Sequence, residues 1–265
     1  MRRLVRADRM PDYPFEVNFF GLRYRGNLKN RLDWEVFFYG AYEKTYAYFL
    51  RDVVKEKPNA VFIDIGANLG HHSIYMSPFC TEIHSFEPYT DVLKSFREKI
   101  DINNIQNIKI HNVALGEKNE AVEFYAPTQI DLGVGSFVEG QKPHNKPIGT
   151  LTVVNGDDYV EKLNLPNIDL IKIDVEGFEK SVLTGLQKTI KKYRPTITME
   201  ILRPSVRTFK NLGEIEALLP DDYEILRVAQ NKKIGLFFNR PMYRVLDYNF
   251  DVPEADVLLR PKKTQ

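Results

Sequence analysis

The sequence predicts an α/β protein built on a doubly wound sheet of seven strands, with an N-terminal extension. From Pro58 onward, short apolar runs alternate with amphipathic segments, which is typical of a parallel sheet covered by helices. The first run, VFIDIG, stops at an acid and turns through a glycine, and later runs also carry acids near their ends. Because ligands bind outside the carboxyl ends of such strands, a binding site is expected along that edge.

Seven runs are predicted to be the strands of this sheet: AVFIDIG, EIHSFEP, IKIHNVA, DLIKIDVEG, TITMEIL, YEILRVA and IGLFFN. Helical spacing of apolar residues predicts one helix over Thr90–Ile100 and another along the stripe from Phe178 to Ile190. EAVEFYAP and TLTVVNGDD are predicted to be added strands on either side of a Gly- and Pro-rich loop, residues 128–149. Loops of that length are usually functional or mobile.

The first 57 residues are expected to form the extension, and residues 58–265 the main domain. FEVNFFGLRYRG resembles a hairpin, and DWEVFFYGAYEKTYAYFLRDVV resembles an aromatic-rich helical stretch. We expect this extension to cover the acceptor side of the site, where the molecule that is acted on would bind. Tyr39, Tyr42, Tyr46 and Tyr48 beside Trp34 either stack on a sugar or form core or dimer contacts. The charged ends, MRRLVRADR and LLRPKKTQ, are expected to be solvated tails.

Composition argues against several classes of protein. Lys and Arg number 37 against 36 Asp and Glu, so the overall charge does not indicate a nucleic-acid partner. The chain has no run of about 18 apolar residues, and Asp8, Arg9 and Pro11 interrupt any signal-peptide core, so we expect a cytoplasmic protein without a membrane span. The single cysteine, Cys80, allows neither an internal disulfide nor a cysteine zinc site and is expected to pack in the interior.

The turn DIGANLG follows the first strand of the sheet. Gly66 and Gly70 allow the chain to turn and pack closely, and Asn68 tolerates a positive φ. The G-x-x-x-G spacing matches neither the dinucleotide fingerprint nor a phosphate-binding P-loop. Asp64, just before the turn, would repel a pyrophosphate but suits an ammonium or sulfonium group, and S-adenosylmethionine carries both.

Two residues at the ends of the next strands are candidates for contacts to the rest of such a cofactor. Glu87, at the end of SFEPY, is expected to accept hydrogen bonds from the ribose hydroxyls; the alternative is that it caps the following helix. Asn112, at the end of IKIHN, either contacts the adenine edge or shapes the local turn.

LIKIDVEGFE carries the densest group of charges. Strand alternation is expected to place Lys172, Asp174 and Glu176 on one side where the strand reaches the sheet edge. One alternative is a strand end in which Asp174 and Glu176 pair with Lys172 and an acid caps the next helix. The other is a group of charges that faces the cofactor and the acceptor.

Five stretches between about Val61 and Glu200 occur in a common order: FIDIGANLGHHSIY, SFEPY, NVALGEKNEAVEFY, GDDYV and IDLIKIDVEGFEKSVLTGL. Together they resemble the FkbM-type, class I S-adenosyl-L-methionine-dependent methyltransferases. The resemblance implies a Rossmann-like seven-stranded sheet and O-methylation of a hydroxyl of a sugar, glycan or secondary metabolite. It implies cofactor contacts for Asp64, Gly66, Asn68, Gly70 and Glu87. VVNGDDYV departs from the usual Thr-Leu-Asp-Asp at Asn155 and Gly156.

Transfer of a methyl group to an alcohol requires a positioned acceptor oxygen and a group that accepts its proton. We expect Asp174 or Glu176 to be that base, oriented by Lys172, with Glu200 as a third candidate. Asp174 and Glu200 would end adjacent strands, so a shared divalent cation is a weaker hypothesis, and no metal ligand is assigned.

The five histidines receive different expectations. One of His71 and His72 is a candidate for contact with cofactor or acceptor, and His144 for contact with substrate. His84 and His111 are expected to be core histidines with satisfied hydrogen bonds.

Two other functions are weighed beside the O-methyltransferase. A nucleic-acid methyltransferase on the same sheet is disfavoured by the balanced charge and by the absence of an Asn-Pro-Pro-Tyr-like motif. A non-catalytic binding module is disfavoured by the intact acids.

Overall fold

The N-terminal part of the chain forms a hairpin and two helices. The computed structural model describes residues 11–127, 135–141, 144–202, 209–230, 242–250, 252 and 254–262. Strands β1 (Pro14–Phe19) and β2 (Leu22–Asn27) pair antiparallel. Helices α1 (Arg31–Tyr39) and α2 (Lys44–Val54) follow, and the left-handed Gly40 at the end of α1 breaks the single helical stretch expected from the sequence.

The first half of the central sheet alternates strands and helices, as predicted. Its elements are β3 (Val61–Ile65), α3 (His71–Met76), β4 (Glu82–Phe86), α4 (Thr90–Ile102) and β5 (Ile108–His111). Every residue of β3 is buried, because this strand lies inside the sheet between two parallel neighbours. The apolar stripe of α4, which includes Val92, Leu93 and Phe96, faces the interior.

A separate small sheet precedes the second half. It contains β6 (Ala114–Gly116), β7 (Glu120–Pro127) and β8 (Asn145–Asn155), with β8 in the middle. Both added strands were therefore predicted correctly, but β8 begins inside the expected loop, and residues 128–134 and 142–143 of that loop lie outside the described residues. Helix α5 (Gly156–Lys162) follows, and Asn155 caps it by accepting the Asp158 N–H.

The second half of the sheet contributes its remaining strands. The elements are β9 (Leu170–Ile173), α6 (Glu179–Thr184), α7 (Gln187–Tyr193), β10 (Thr196–Leu202), α8 (Leu212–Glu216), β11 (Tyr223–Gln230), β12 (Tyr243–Asp247) and β13 (Glu254–Pro261). The stripe from Phe178 to Ile190 is buried as predicted, but two helices carry it. The break falls at Gly185, where a Cβ would lie only 1.9 Å from the Gly116 carbonyl oxygen.

Within the described residues, the central sheet has eight strands in the order β12-β11-β13-β10-β9-β3-β4-β5. The strand predicted at IGLFFN lies outside the described residues. The expectation of a solvated C-terminal tail is wrong for its first part, because β13 pairs antiparallel with both β10 and β11 and buries Leu258 and Leu259. In the part of the chain described here, no helix is long and apolar enough to cross a membrane.

Candidate active site at the carboxyl edge of the sheet

The turn after β3 has the backbone that its sequence predicts. Gly66, Asn68 and Gly70 all have positive φ, at 79°, 52° and 77°. A Cβ on Gly66 would lie 1.8 Å from the Asp174 carbonyl oxygen, and one on Gly70 would lie 2.0 Å from the Phe96 ring. Both glycines are therefore required by close packing as well as by conformation.

Glu87 links this turn to the following strand and helix. Its Oε2 accepts the Asn68 N–H at 2.9 Å, and its Oε1 accepts the Tyr89 N–H at 2.9 Å. Tyr89 is the N-cap residue of α4, so this second hydrogen bond of Glu87 is made at the start of the helix, as the capping alternative expects. Burial outweighs these two hydrogen bonds and raises the pKa of Glu87 to about 7.

Asn112 lies beside Glu87 and is exposed. Its amide nitrogen donates to the carbonyl oxygens of Glu87 and Pro88, at 3.0 and 2.9 Å. These bonds hold the chain after β4, 24 and 25 residues away, rather than the turn that contains Asn112, so the expected role in the local turn is not what they show. A contact from Asn112 to adenine remains a prediction.

Asp64 lies under the turn and is completely buried. Its Oδ1 lies 3.1 Å from Lys172 Nζ, and its Oδ2 accepts a 2.6 Å hydrogen bond from Ser73 Oγ. Burial alone lowers the pKa of Lys172, but the carboxylates of Asp64 and Asp174 outweigh it and raise that pKa above its usual value. The ion-paired alternative, which expected Asp174 and Glu176 as partners of Lys172, holds for Asp174, while the closer partner Asp64 was not predicted. A direct contact from Asp64 to a cationic ligand remains a prediction.

Asp174 and Glu176 follow β9 in the adjoining turn. Strand alternation does not place them as expected, because β9 ends at Ile173 and Glu176 takes a left-handed backbone conformation. Asp174 Oδ2 still lies 3.3 Å from Lys172 Nζ, with the Asp174 side chain 34% exposed. The Glu176 carbonyl oxygen accepts a hydrogen bond from Ser136 Oγ at 2.7 Å, which fixes this turn against the segment after β7.

Glu200 lies beside acids that the sequence did not identify. It pairs with Asp256 across β10 and β13, and Glu43 approaches from the start of α2. These three side chains lie on a pocket of about 340 Å³. The pocket is lined by Glu43, Glu200, Arg227, Val228, Ala229, Glu254, Ala255 and Asp256.

The carboxyl groups of this pocket repel one another. Burial first, and then Asp174, raise the pKa of Glu43 to about 8, of Glu200 to about 10 and of Asp256 to about 7. Near neutral pH, Glu200 therefore holds its proton in the free protein. Glu43 was missed because it sits in an aromatic-rich stretch, and Asp256 because no strand was predicted after IGLFFN. The alternating apolar residues of EADVLL were the available signal.

His71 and His72 begin α3 and have different surroundings. His71 Nε2 lies 2.9 Å from the Tyr42 carbonyl oxygen, and its ring packs on Phe19 at 4.8 Å between centroids. His72 Nε2 instead lies 3.8 Å from Glu43 Oε2. Burial lowers the pKa of both imidazoles, to about 3 for His71 and well below the usual value for His72, so both are neutral.

The remaining predicted residues are mostly structural. His84 Nδ1 lies 2.9 Å from His111 Nε2, and both rings have further hydrogen-bond partners, which confirms that these histidines are satisfied. Cys80 is buried as expected. Tyr46 is also buried, with its hydroxyl 2.9 Å from Thr198 Oγ1, whereas Tyr39 and His144 are exposed.

The hypothesis of a shared cation between Asp174 and Glu200 gains no support. Across the described ranges, no group of three or more His, Cys, Asp or Glu side chains could hold a metal ion.

Residues 64–227 match the Methyltransferase FkbM domain, which is more than half of the chain. The chain belongs to the FkbM methyltransferase family. The match spans the glycine turn, Glu87, the turn after β9 and Glu200, and it ends at Arg227 of the pocket. Glu200 and Arg227 of the pocket lie within the matched range, and its six other lining residues lie on either side of that range.

Three curated relatives are each similar to about half of the chain. Methyltransferase 1 of Beauveria bassiana is 29% identical over 154 residues, which are 51% of this chain and 61% of that protein. The 2-O-methyltransferase NoeI of Sinorhizobium fredii is 26% identical, covering 52% and 62%. The hexuronic acid methyltransferase AglP of Haloferax volcanii is 26% identical, covering 49% and 52%. The chain therefore spans between half and two thirds of the length of these relatives.

Among solved structures, a methyltransferase FkbM from Methylobacillus flagellatus is 18% identical with a TM-score of 0.48. The similarity covers 76% of this chain and 43% of that one.

Proposed function

We propose that this FkbM-family chain is an S-adenosyl-L-methionine-dependent O-methyltransferase that acts on a hydroxyl of a sugar, glycan or secondary metabolite. The observation that carries the proposal is the joining of the glycine turn to the Glu87 carboxylate through the Asn68 N–H, at 2.9 Å. Two relatives are named for O-methylation at a 2-position and for methylation of a hexuronic acid, which is the support for a sugar acceptor.

The residues around the turn fit the cofactor. Each oxygen of Glu87 accepts one backbone N–H, and a carboxylate oxygen has a second lone pair that can take a ribose hydroxyl. The backbone of Gly66, Asn68 and Gly70 would contact the methionine half of the cofactor. Asp64 would hold Lys172 beneath that turn, and Asn112 would contact the adenine. When bound, the cofactor supplies a methyl group activated by its sulfonium.

The proton of the acceptor hydroxyl goes to a carboxylate of this edge. Asp174 is the first candidate, because it is partly exposed and Lys172 holds it at 3.3 Å. Glu176, in the same turn, is the second. Glu200 is less suited in the free protein, because its raised pKa of about 10 keeps it protonated near neutral pH.

Methyl-labelled cofactor incubated with fractionated extracts tests the proposal. Glycan, lipid, small-metabolite, RNA and DNA fractions are compared for wild type and for Asp174→Asn as the matched control. Label in a hydroxyl-bearing fraction that depends on Asp174 is the expected result. Label in nucleic acid would instead favour the nucleic-acid enzyme, and cofactor binding without transfer to any fraction would favour a binding module.

A further inference from the structure

We propose that Glu179 is a positioning residue for methyl transfer, because its carboxylate holds the turn that carries both candidates for the base, Asp174 and Glu176. This inference rests on the proposed function, since it names the side chain that fixes the reacting edge of that same site. Glu179 is the first residue of α6 and is only 1% exposed.

The turn after β9 has a backbone that needs support from outside itself. Glu176 has a φ of 51° and Gly177 a φ of 99°, so a glutamate adopts a left-handed conformation that such side chains rarely take. A residue of this kind persists only where its surroundings hold it. Glu179 Oε1 accepts the Gly177 N–H at 2.9 Å and, more weakly, the Val175 N–H at 3.4 Å. One oxygen atom thus joins the backbone on both sides of Glu176.

These N–H groups, rather than a cation, hold the carboxylate of Glu179 in the interior. In the described part of the chain no lysine or arginine pairs with it, and the neighbouring Lys180 pairs with Glu214 at 2.7 Å instead. Its Oε2 has no hydrogen-bond partner there. Burial raises the pKa of Glu179 to about 7. Because a buried carboxylate without a cation costs free energy, Glu179 does not stabilise the fold by its burial, as an apolar residue at this place would.

The turn that Glu179 holds lies against the glycine turn assigned to the cofactor. The Asp174 N–H donates to the carbonyl oxygen of Ile65, the last residue of β3, at 3.0 Å. A Cβ on Gly66 would lie 1.8 Å from the Asp174 carbonyl oxygen, so the two turns touch backbone to backbone. A shift of the turn after β9 would therefore move both candidate bases relative to the cofactor. Transfer rates depend steeply on such distances.

Hydrogen exchange tests the contact without an acceptor. The full chain is labelled with nitrogen-15 at glycine, and exchange of the Gly177 amide is measured by NMR at pH 8, where Glu179 is ionised. Glu179→Leu is of similar size but accepts no hydrogen bond, so this amide should exchange at least about tenfold faster. Glu179→Gln keeps an oxygen that accepts the N–H and should stay within about threefold of wild type. An unchanged rate in Glu179→Leu would overturn the proposal.

Turnover tests whether the turn acts through the base. Methyl transfer is measured with labelled S-adenosylmethionine and the extract fraction that accepts label from wild type. Glu179→Leu should lower kcat at least about tenfold, with the dissociation constant of S-adenosylhomocysteine within about threefold of wild type, and Glu179→Gln should restore kcat. Equal losses of kcat in the two variants, or a loss of cofactor affinity alone, would contradict the positioning role.

A double variant separates positioning from a general loss of activity. Asp174→Asn or Glu176→Gln, whichever lowers kcat, is combined with Glu179→Leu. Because the base is already removed, the second change should lower kcat by less than about threefold. A further fall as large as in the wild-type background would show that Glu179 acts independently of the base and would overturn the proposal.

Asp157→Leu is the matched control. Asp157 also accepts two backbone N–H groups, those of Lys188 and Thr189 at the start of α7, at 2.9 and 2.7 Å. Its replacement should lower stability but leave kcat of the folded protein within about threefold of wild type. A fall in kcat as large as that of Glu179→Leu would overturn the proposal. If no fraction accepts label from wild type, the proposed function fails and this inference with it, whereas a contrary result confined to the Glu179 variants counts against the positioning role alone.

Discussion

Lys172 Nζ lies 3.1 Å from Asp64 Oδ1, and neither side chain is more than 2% exposed. The pair joins β9 to β3 directly beneath the turn that we assign to the cofactor, and Asp174 Oδ2 lies 3.3 Å from the same ammonium group. One ammonium group therefore neutralises the buried acid under the turn and orients the acid proposed as the base.

Replacing Lys172 by Met should destabilise the protein strongly, because Asp64 would remain as a buried and unpaired charge. The expected loss is about 3–5 kcal/mol in the free energy of unfolding, measured by urea denaturation. Lys180→Met is the matched control, because its pair with Glu214 is far less buried, at 38% and 26% exposed, and should contribute under about 1 kcal/mol. Similar losses in the two variants would contradict the role given to the buried pair.

Asp174→Asn should lower turnover far more than cofactor affinity, because the amide keeps the shape of the side chain but cannot accept the acceptor proton. We expect kcat to fall by about 100-fold, a typical contribution of a general base, with the dissociation constant of S-adenosylhomocysteine within about threefold of wild type. Glu176→Gln is the parallel variant and tests the second candidate. If cofactor affinity falls while kcat is unchanged, the roles assigned to this edge and to Glu87 are reversed.

Cofactor affinity should rise with pH between 6 and 8. The pKa of Glu87 is raised to about 7, and only its ionised form is purely an acceptor for ribose hydroxyls. Across this interval the ionised fraction of such a group grows about tenfold, and the association constant should follow. Titrations of S-adenosylhomocysteine at several pH values measure it, and the slope should disappear in Glu87→Gln. If the association constant of Glu87→Gln still rises with pH, the pH dependence belongs to a group other than Glu87.

Glu200→Gln should stabilise the protein at pH 8. The folded-state pKa of Glu200 is raised from 4.5 to about 10, so between these values the folded protein holds a proton that the unfolded chain releases. The free energy of unfolding therefore falls as pH rises through this window, and the neutral amide removes that loss. A gain of about 1 kcal/mol would raise Tm by roughly 2–4 °C in a chain of this size, and the gain should vanish at pH 4. A lower Tm at pH 8 would contradict the repulsion described for the pocket.

The sequence predicts the sheet and its cofactor edge well because both depend on local signals. Alternating runs identify the strands, and Gly66, Asn68 and Gly70 identify a turn that needs positive φ. Two of the predicted helices are each divided into two in the structure. The divisions fall at Gly40 and Gly185, where a glycine ends or interrupts an otherwise continuous apolar stripe. The periodicity of apolar residues does not by itself predict where a helix ends.

The pocket lined by Glu43, Glu200 and Asp256 depends on contacts between distant segments, and these have no local pattern. Glu43, Glu200 and Asp256 come from α2, β10 and β13, and only strand order brings them together. The turn after β9 shows the same limit, because Asp174 and Glu176 were placed by alternation beyond the point where the strand ends. The pairing of Lys172 with Asp64, 108 residues away, likewise follows from the parallel register of β3 and β9.

Calorimetric titration of S-adenosylhomocysteine into wild type and Glu87→Gln tests the central claim most directly. Wild type should bind one molecule, and Glu87→Gln should bind about 10- to 100-fold more weakly, because charged hydrogen bonds to the ribose are lost. Glu82→Gln, at the opposite end of β4, should bind like wild type. No binding to wild type, or equal binding to Glu87→Gln, would contradict the assignment of the turn and Glu87 to the cofactor.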